Sequence, residues 1–161
     1  MTVWRLARAV YPALDGEGAR LNGGRWNEPG TPIVYTAGSL SLAALEVLVH
    51  LNPDRLPDDL VAYGIALPTE SLQARRVETT ELPDGWDRQA EGPGLRRIGE
   101  TWAQERETPI LDVPSAVIPE ERNYLINSRH QAAADVRIDR QRPFDFDPKL
   151  FSTESPDEAH S

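Results

Sequence analysis

The chain has 161 residues, of which 39% are hydrophobic and 27% charged, and this length and composition suit one soluble globular domain. It contains no cysteine, which excludes disulfides, zinc–thiolate sites and thiol nucleophiles. Its 26 acidic and 17 basic residues give a formal net charge of −9, so the surface repels nucleic-acid phosphates and anionic lipids, and we expect neither direct nucleic-acid binding nor membrane association.

The basic residues and the first ten residues narrow the function further. Lys149 is the one lysine of the sequence, so neither a Schiff-base lysine nor a phosphate-binding Walker lysine is expected. The opening residues, MTVWRLARAV, lack the apolar run of a signal peptide, and no stretch of the sequence approaches the roughly 20 apolar residues of a membrane span. We therefore expect a cytoplasmic protein.

Strands and helices are predicted from hydrophobic periodicity and from turn residues. Strands are predicted at 3–8, 33–36, 60–67, 75–77, 110–113, 116–118 and 136–139. One helix is predicted at 39–52, where Ser39 or Ser41 caps its start and Asn52-Pro53 ends it, and a second at 95–107.

The connecting segments are long and irregular. Residues 15–24 are predicted to form a glycine-rich turn region, and residues 68–93 an irregular surface with one short strand. Because strands and helices do not alternate regularly, the prediction is an α+β domain over residues 1–151, not a doubly wound parallel sheet. Residues 152–161 are acidic and poor in apolar groups, so this tail is expected to be disordered.

Glu46 is the first candidate functional residue. It lies in a predicted helix whose neighbours at positions 42, 43, 45 and 49 are apolar. A carboxylate in such surroundings is costly unless it is paired or faces a polar cleft. Glu46 therefore needs a cation or a ligand, and a buried ion pair that only joins two elements is the alternative.

Two arginines and the aromatic residues beside them form the second group of candidates. Arg5 follows Trp4 in a predicted strand, and Arg25 follows two glycines that allow a ligand to approach the backbone closely. A guanidinium binds phosphate oxygens in a bidentate manner, and an adjacent ring can stack on a base. For each arginine an ordinary salt bridge is the alternative, and for Tyr35 the alternative is core packing.

Other arrangements of catalytic residues are weaker. Ser115 is not in a nucleophile-elbow motif, so it suits a hydrogen-bonding role in a cleft, and a hydrolase reading requires His50 or His130 within reach of it. Glu120 and Glu121 are adjacent, so their side chains diverge and a solvated surface pair is expected. No spacing of His, Asp and Glu suggests a metal site, and none is predicted.

Taken together, several short motifs resemble one known family, the RES domain, over about residues 3–151. The motifs are LNGGRWN (21–27), PIVYTA (32–37), AALE (43–46), PSAVIP (114–119) and NYLIN (123–127) with His130. Ser128 stands where proline is commoner in that family, and residues 68–109 carry no matching motif.

The resemblance implies a fold, an activity and a partner. It implies an ADP-ribosyltransferase-like mixed sheet with flanking helices, and a toxin of a type II toxin–antitoxin system whose antitoxin is of the Xre helix-turn-helix type. It implies consumption of NAD⁺ as substrate, by hydrolysis, by phosphorolysis or by transfer of ADP-ribose to a protein, with no other cofactor. Carried over by position, the NAD pocket would use the residues Arg5, Tyr35 and Glu46 for catalysis and Arg25, Trp26, Asn27 and Ser115 for binding.

The chemistry of these residues agrees with that expectation. Cleaving the nicotinamide–ribose bond passes through an oxocarbenium-like state, which a carboxylate such as Glu46 stabilises. Nicotinamide leaves as a neutral molecule from a cationic substrate, so no second acid is needed. Arg25 and Arg5 suit the pyrophosphate, Tyr35 or Trp26 suits the nicotinamide ring, and Ser115 suits the amide or a phosphate.

Two questions stay open at this level. A catalytically dead module that binds a nucleotide or a protein is the competing function, and nicotinamide release by the purified protein distinguishes the two. The negative charge complements a basic DNA-binding antitoxin, or it serves solubility alone. A homodimer and a hetero-oligomer with the antitoxin are both compatible with the sequence, and we expect the antitoxin to block the NAD cleft.

Overall fold

A computed structural model describes residues 1–68, 73–88 and 93–152. Within these ranges the chain forms seven strands, listed here in chain order: β1 Thr2–Arg8, β2 Val34–Ala37, β3 Leu60–Ala66, β4 Ala74–Arg76, β5 Ile110–Pro114, β6 Arg122–Ile126 and β7 Arg137–Pro143. Three α-helices accompany them: α1 Glu17–Asn22, α2 Leu40–Leu48 and α3 Pro93–Glu105. Single 3₁₀ turns occupy Thr79–Glu81, Gln131–Asp135 and Pro148–Phe151.

The strands form one mixed sheet in the order β4-β5-β6-β2-β1-β3-β7. β4 and β5 are parallel, and the other neighbours are antiparallel. The α+β class with a mixed sheet and flanking helices is therefore confirmed. The predicted tail lies almost entirely outside the described residues.

Most predicted elements agree with the structure to within a few residues; four differences concern α1, residues 116–118, β6 and β7, and a fifth concerns the end of α2. Residues 17–22, predicted as part of a turn region, form α1, because Gly16 with φ +71° and Gly23 with φ +73° bound a single helical segment. Residues 116–118, predicted as a strand, form a turn held by the Ser115 hydroxyl. β6 was not predicted as a strand, and β7 extends four residues beyond the predicted end at Asp139, to Pro143.

The α2 helix is shorter than its prediction and is not enclosed by apolar groups. Ser39 caps its start through a hydrogen bond from Leu42 N to Oγ at 3.1 Å, as expected, but the helix ends at Leu48, not at residue 52. Leu42 and Ala43 are buried against the sheet, whereas Leu45 is 39% and Val49 57% exposed. One side of the helix therefore faces solvent, and Glu46 lies between its buried and exposed sides.

Two helices cover neighbouring parts of one sheet face. α2 packs on Leu6 of β1, Ala37 of β2 and Ala62 of β3. α3 packs through Leu95 and Trp102 over the β5 and β6 part of the same face. The opposite face holds a separate core, formed by Val3, Val34, Tyr63, Ile65, Ile110 and Ile126 among others. The boundary between α2 and the α3 core leaves room for a cavity on the sheet.

Candidate active site

A cavity of about 400 Å³ lies where the α2 core and the α3 core meet. Residues of β1, β2, β6, α2 and the 23–26 loop form its walls. The sequence-predicted residues Arg5, Arg25, Trp26, Tyr35 and Glu46 all line it. Its volume falls in the range of small-molecule sites.

Arg5 lies in the seam between β1 and β2. In the described chain these strands pair at a single position, Trp4 with Ala37, so the backbone of β2 is open beside Arg5. Arg5 Nη1 donates a hydrogen bond to the Tyr35 carbonyl oxygen at 3.1 Å, while its Nε is buried without a partner among the described residues. Burial lowers the pKa of Arg5, and the Asp15 charge partly offsets that effect. A buried cation with an unsatisfied donor beside a cavity suits an anionic ligand.

Glu46 is held by Ser115. Ser115 is fully buried, and its hydroxyl donates to Glu46 Oε1 at 2.7 Å. The same Oγ accepts hydrogen bonds from the Val117 and Ile118 amides, both at 3.1 Å, so the turn fixes the direction in which the hydroxyl donates. Within the described ranges Glu46 has no salt-bridge partner, so the alternative of an ordinary buried ion pair does not describe it. The carboxylate is oriented and half-buried, and no cation of the described residues lies at its oxygens.

Asn27 organises the loop that carries Arg25. It is fully buried, and its amide nitrogen donates to the carbonyl oxygens of Ala19, Glu28 and Thr31 at 2.9, 2.9 and 3.1 Å. Its Oδ1 accepts from the Tyr35 hydroxyl at 2.6 Å. Asn27 does not line the cavity, so the structure places this predicted NAD-binding residue behind the wall, where it shapes the loop.

Tyr35 joins the same network from β2. Besides donating to Asn27, its hydroxyl accepts from the Trp26 amide at 3.1 Å. Burial raises the pKa of Tyr35, so the phenol stays protonated well above the usual range. Its ring lines the cavity, but its hydroxyl is committed to the loop. The Tyr35 ring therefore contributes to the cavity wall while the Tyr35 hydroxyl holds the loop, a distinction that the sequence alone does not give.

Two glycines allow the loop to pack this closely. A Cβ on Gly24 would lie 2.6 Å from the Tyr35 hydroxyl, and a Cβ on Gly99 of α3 would lie 1.8 Å from the Trp26 carbonyl oxygen. Trp26 itself is only 3% exposed and packs with Trp102 and Leu95. Its ring belongs mainly to the core, which leaves Tyr35 as the better placed of the two rings for stacking on a base.

Sequence reasoning missed several residues of the cavity wall. Trp4, His50 and Asn123 line it, although none of them was predicted as a residue of the NAD pocket. His50 comes four residues after Glu46, a spacing that places both on one side of a helical segment, and this signal was present in the sequence. Trp4 alternates with Arg5 on β1, and no pattern in the sequence showed that the seam would expose both.

The contacts and exposure of single residues bear on the remaining sequence hypotheses. Among the described residues no hydrogen bond joins Ser115 to His50 or His130, and the His130 Nδ1 instead accepts from the Ala132 amide. Glu120 and Glu121 are both exposed, which confirms the expected surface pair. The described ranges contain no group of three or more His, Asp or Glu side chains placed to hold a metal ion, and no helix in them is long and apolar enough to span a bilayer.

Comparison with known proteins agrees with the resemblance carried by the sequence motifs. The family model of the RES domain matches residues 2–147. A protein of Sphingobium sp. (strain YBL2) named "Prs ADP-ribosylating toxin" is 42% identical over 153 residues, covering 92% of this chain and 95% of the relative. A protein of Pseudomonas putida (strain KT2440) named "Toxin Res" is 37% identical, covering 94% of this chain and 100% of the relative.

A solved structure shares the fold. The toxin–antitoxin complex MbcT–MbcA of M. tuberculosis matches with a TM-score of 0.72 and 20% identity, over 93% of this chain and 86% of the matched chain. At this identity the likeness concerns the arrangement of strands and helices.

Proposed function

The chain belongs to the RES domain family, and from that premise we propose that it is a toxin that cleaves the nicotinamide–ribose bond of NAD⁺. The observation that carries the proposal is the shared cavity: one oriented carboxylate, Glu46, and two arginines, Arg5 and Arg25, line the same space. This combination suits a substrate that bears phosphates at one point and develops positive charge at another.

Glu46 has the chemistry for the reacting ribose. As the nicotinamide leaves, positive charge grows on the sugar, and a fixed carboxylate lowers the energy of that state. Ser115 holds the carboxylate through one oxygen, Oε1, and leaves the other for the substrate. Because the leaving group is neutral, the reaction requires no general acid.

The arginines suit the pyrophosphate. Arg5 has a buried, unsatisfied Nε, and a phosphate oxygen would satisfy it in a charge-assisted hydrogen bond. Arg25 enters the cavity from the loop that Asn27 and Tyr35 hold. The Tyr35 ring provides a surface for the nicotinamide.

The acceptor of the ADP-ribose defines a second candidate function. The name of the Sphingobium relative, which is 42% identical, favours transfer of ADP-ribose to a target over hydrolysis or phosphorolysis. In both cases the nicotinamide–ribose bond breaks first at the same cavity. Identification of the ribosyl product with water, inorganic phosphate or a protein present separates the three outcomes.

The partner we propose is an Xre-type antitoxin that covers the cavity. The fold neighbour was solved as a toxin–antitoxin complex, which supports an antitoxin partner. The net charge of −9 complements a basic DNA-binding protein.

The test of the proposed function is nicotinamide release by the purified protein. Glu46→Gln keeps an oxygen that accepts from Ser115 but removes the negative charge, so we expect kcat to fall by about 10²–10³-fold while the protein stays folded. Growth arrest and loss of cellular NAD⁺ on expression should disappear together in this variant.

Glu120→Gln is the matched control, because it removes the same charge from an exposed site outside the cavity, and its rate should equal that of the wild type. A wild type that binds NAD⁺ without releasing nicotinamide would support the non-catalytic binding module instead.

A further inference from the structure

A second carboxylate contacts the loop that carries Arg25, from outside the cavity. Glu100 of α3 accepts a hydrogen bond from the Glu28 amide at Oε1, 2.7 Å, and another from the Thr31 hydroxyl at Oε2, 2.8 Å. Both oxygens of one carboxylate therefore bind one loop, about 70 residues away in the sequence. Glu100 is half-buried and does not line the cavity.

The loop has two anchors of different kinds. The inner anchor is the uncharged network of Asn27 and Tyr35, which fixes the end of the loop near Trp26. The outer anchor is Glu100, which holds the stretch from Glu28 to Thr31 together with an Arg96–Glu28 ion pair at 3.3 Å, while the Asn27 amide binds the same stretch from the inner side. Arg25 lies between the inner anchor and the glycine pair 23–24. The backbone position of Arg25 therefore depends on how the rest of the loop is held.

The approach of α3 to the loop leaves little freedom for a substitute contact. Gly99, the residue before Glu100, packs so closely that a Cβ would lie 1.8 Å from the Trp26 carbonyl oxygen. The Glu100 charge also contributes to raising the pKa of Tyr35, while the Arg25 charge lowers it. Both charges therefore act near the Tyr35 hydroxyl at the base of the loop.

From this geometry we propose that Glu100 is a positioning residue that sets the place of Arg25 in the cavity through the 28–31 segment. The inference rests on the proposed function, since it assigns Arg25 to the anionic part of the substrate. A residue that acts on binding through Arg25 alters substrate affinity more than the rate of bond cleavage.

The experiment measures KM and kcat for nicotinamide release from NAD⁺. Glu100→Ala should raise KM about tenfold and leave kcat within about twofold, because it removes two hydrogen bonds to a charged group that hold the loop. Thr31→Val leaves the charge and removes one of the two bonds, so its KM should rise about threefold. Glu105→Ala, on the exposed end of the same helix, is the matched control and should leave KM unchanged.

A double variant tests the route of the effect. In an Arg25→Ala background the Glu100→Ala substitution should change KM by less than about twofold, because the group through which it acts is gone. A residue that only stabilised the fold would lower the unfolding temperature and leave KM alone in every background.

Failure of the proposed function and failure of the Glu100 inference give different results. A wild type that releases no nicotinamide would overturn the proposed function and this inference with it. An active wild type with unchanged KM in both Glu100→Ala and Thr31→Val, or with fully additive effects in the double variant, would overturn the inference alone.

Discussion

At the scale of single residues, hydrogen bonds decide which candidates face a substrate. Ser115, Asn27 and the Tyr35 hydroxyl each have protein partners, whereas Arg5 Nε and one Glu46 oxygen do not have one among the described residues. Seven residues were predicted from motifs as one group of site residues. The structure divides them into a group that lines the cavity and a group that holds the first in place.

Substitution of Ser115 tests this division. Ser115→Ala removes the donor to Glu46 and leaves the Val117 and Ile118 amides without their acceptor, so we expect a stability loss of about 1–3 kcal/mol. We also expect kcat/KM for nicotinamide release to fall about tenfold or more, because the carboxylate loses its orientation.

Ser128→Ala is the control for that variant. Its hydroxyl donates to the Asp15 carbonyl oxygen, and neither of these residues lines the cavity, so activity should be unaffected. Unchanged activity in Ser115→Ala would show that Glu46 does not need the serine.

The buried Tyr35 phenol makes the free energy of unfolding depend on pH. Its pKa in the folded state is raised above the usual value of 10.0, chiefly by burial, so above that pH the unfolded chain loses a proton that the native state keeps. The free energy of unfolding should therefore fall as pH rises through 10, by up to about 1.4 kcal/mol per pH unit from this group. Below that range Tyr35 contributes its full stability.

Chemical denaturation at several alkaline pH values checks this effect. In Tyr35→Phe the alkaline slope of the unfolding free energy should be shallower than in the wild type, although the variant is less stable at neutral pH. Parallel slopes in the two proteins would contradict the assignment.

At the scale of elements, the position of α3 is limited by a glycine. Gly99→Ala would place a Cβ 1.8 Å from the Trp26 carbonyl oxygen, so the helix and the loop must move apart. We expect a loss of about 1–3 kcal/mol and a lower unfolding temperature by several degrees.

Gly18→Ala in α1 is the comparison. No atom lies within 4 Å of a Cβ built at Gly18, and alanine favours the helix, so this variant should be as stable as the wild type or more stable. Equal unfolding temperatures for Gly99→Ala and the wild type would contradict the packing argument.

Comparison of the predicted and observed strands shows how much of the secondary structure the local sequence determines. β1 and β3 were predicted almost to the residue, because β3 is a nearly continuous apolar run and β1 shows partial alternation of apolar and other residues. β6 was not predicted, since its sequence RNYLI begins with polar residues and its strand conformation comes from pairing with β2 and β5 on both sides. β7 is exposed at all seven positions, so no alternation marked its length.

At the scale of the whole molecule, the motifs supplied part of the cavity wall, whereas the rest of the wall and its support come from tertiary packing. Glu46, Arg5 and Arg25 could be found from residue types in unusual surroundings. Glu100 could not, because it lies in the 68–109 segment that carries no motif, and its importance comes only from the packing of α3 on a distant loop. Which hydroxyl or amide faces inward is likewise a property of three-dimensional contacts.

The order of the strands bears on when the cavity can form during synthesis of the chain. Arg5, Arg25, Tyr35 and Glu46 leave the ribosome within the first third of the chain, but Ser115 and the β6 strand that flanks β2 come much later. A nascent or prematurely terminated polypeptide lacking residues beyond 114 has neither the hydroxyl that orients Glu46 nor one wall of the cavity. The cavity therefore takes shape only after residues from both halves of this sequence have folded together, and the N-terminal residues alone do not form it.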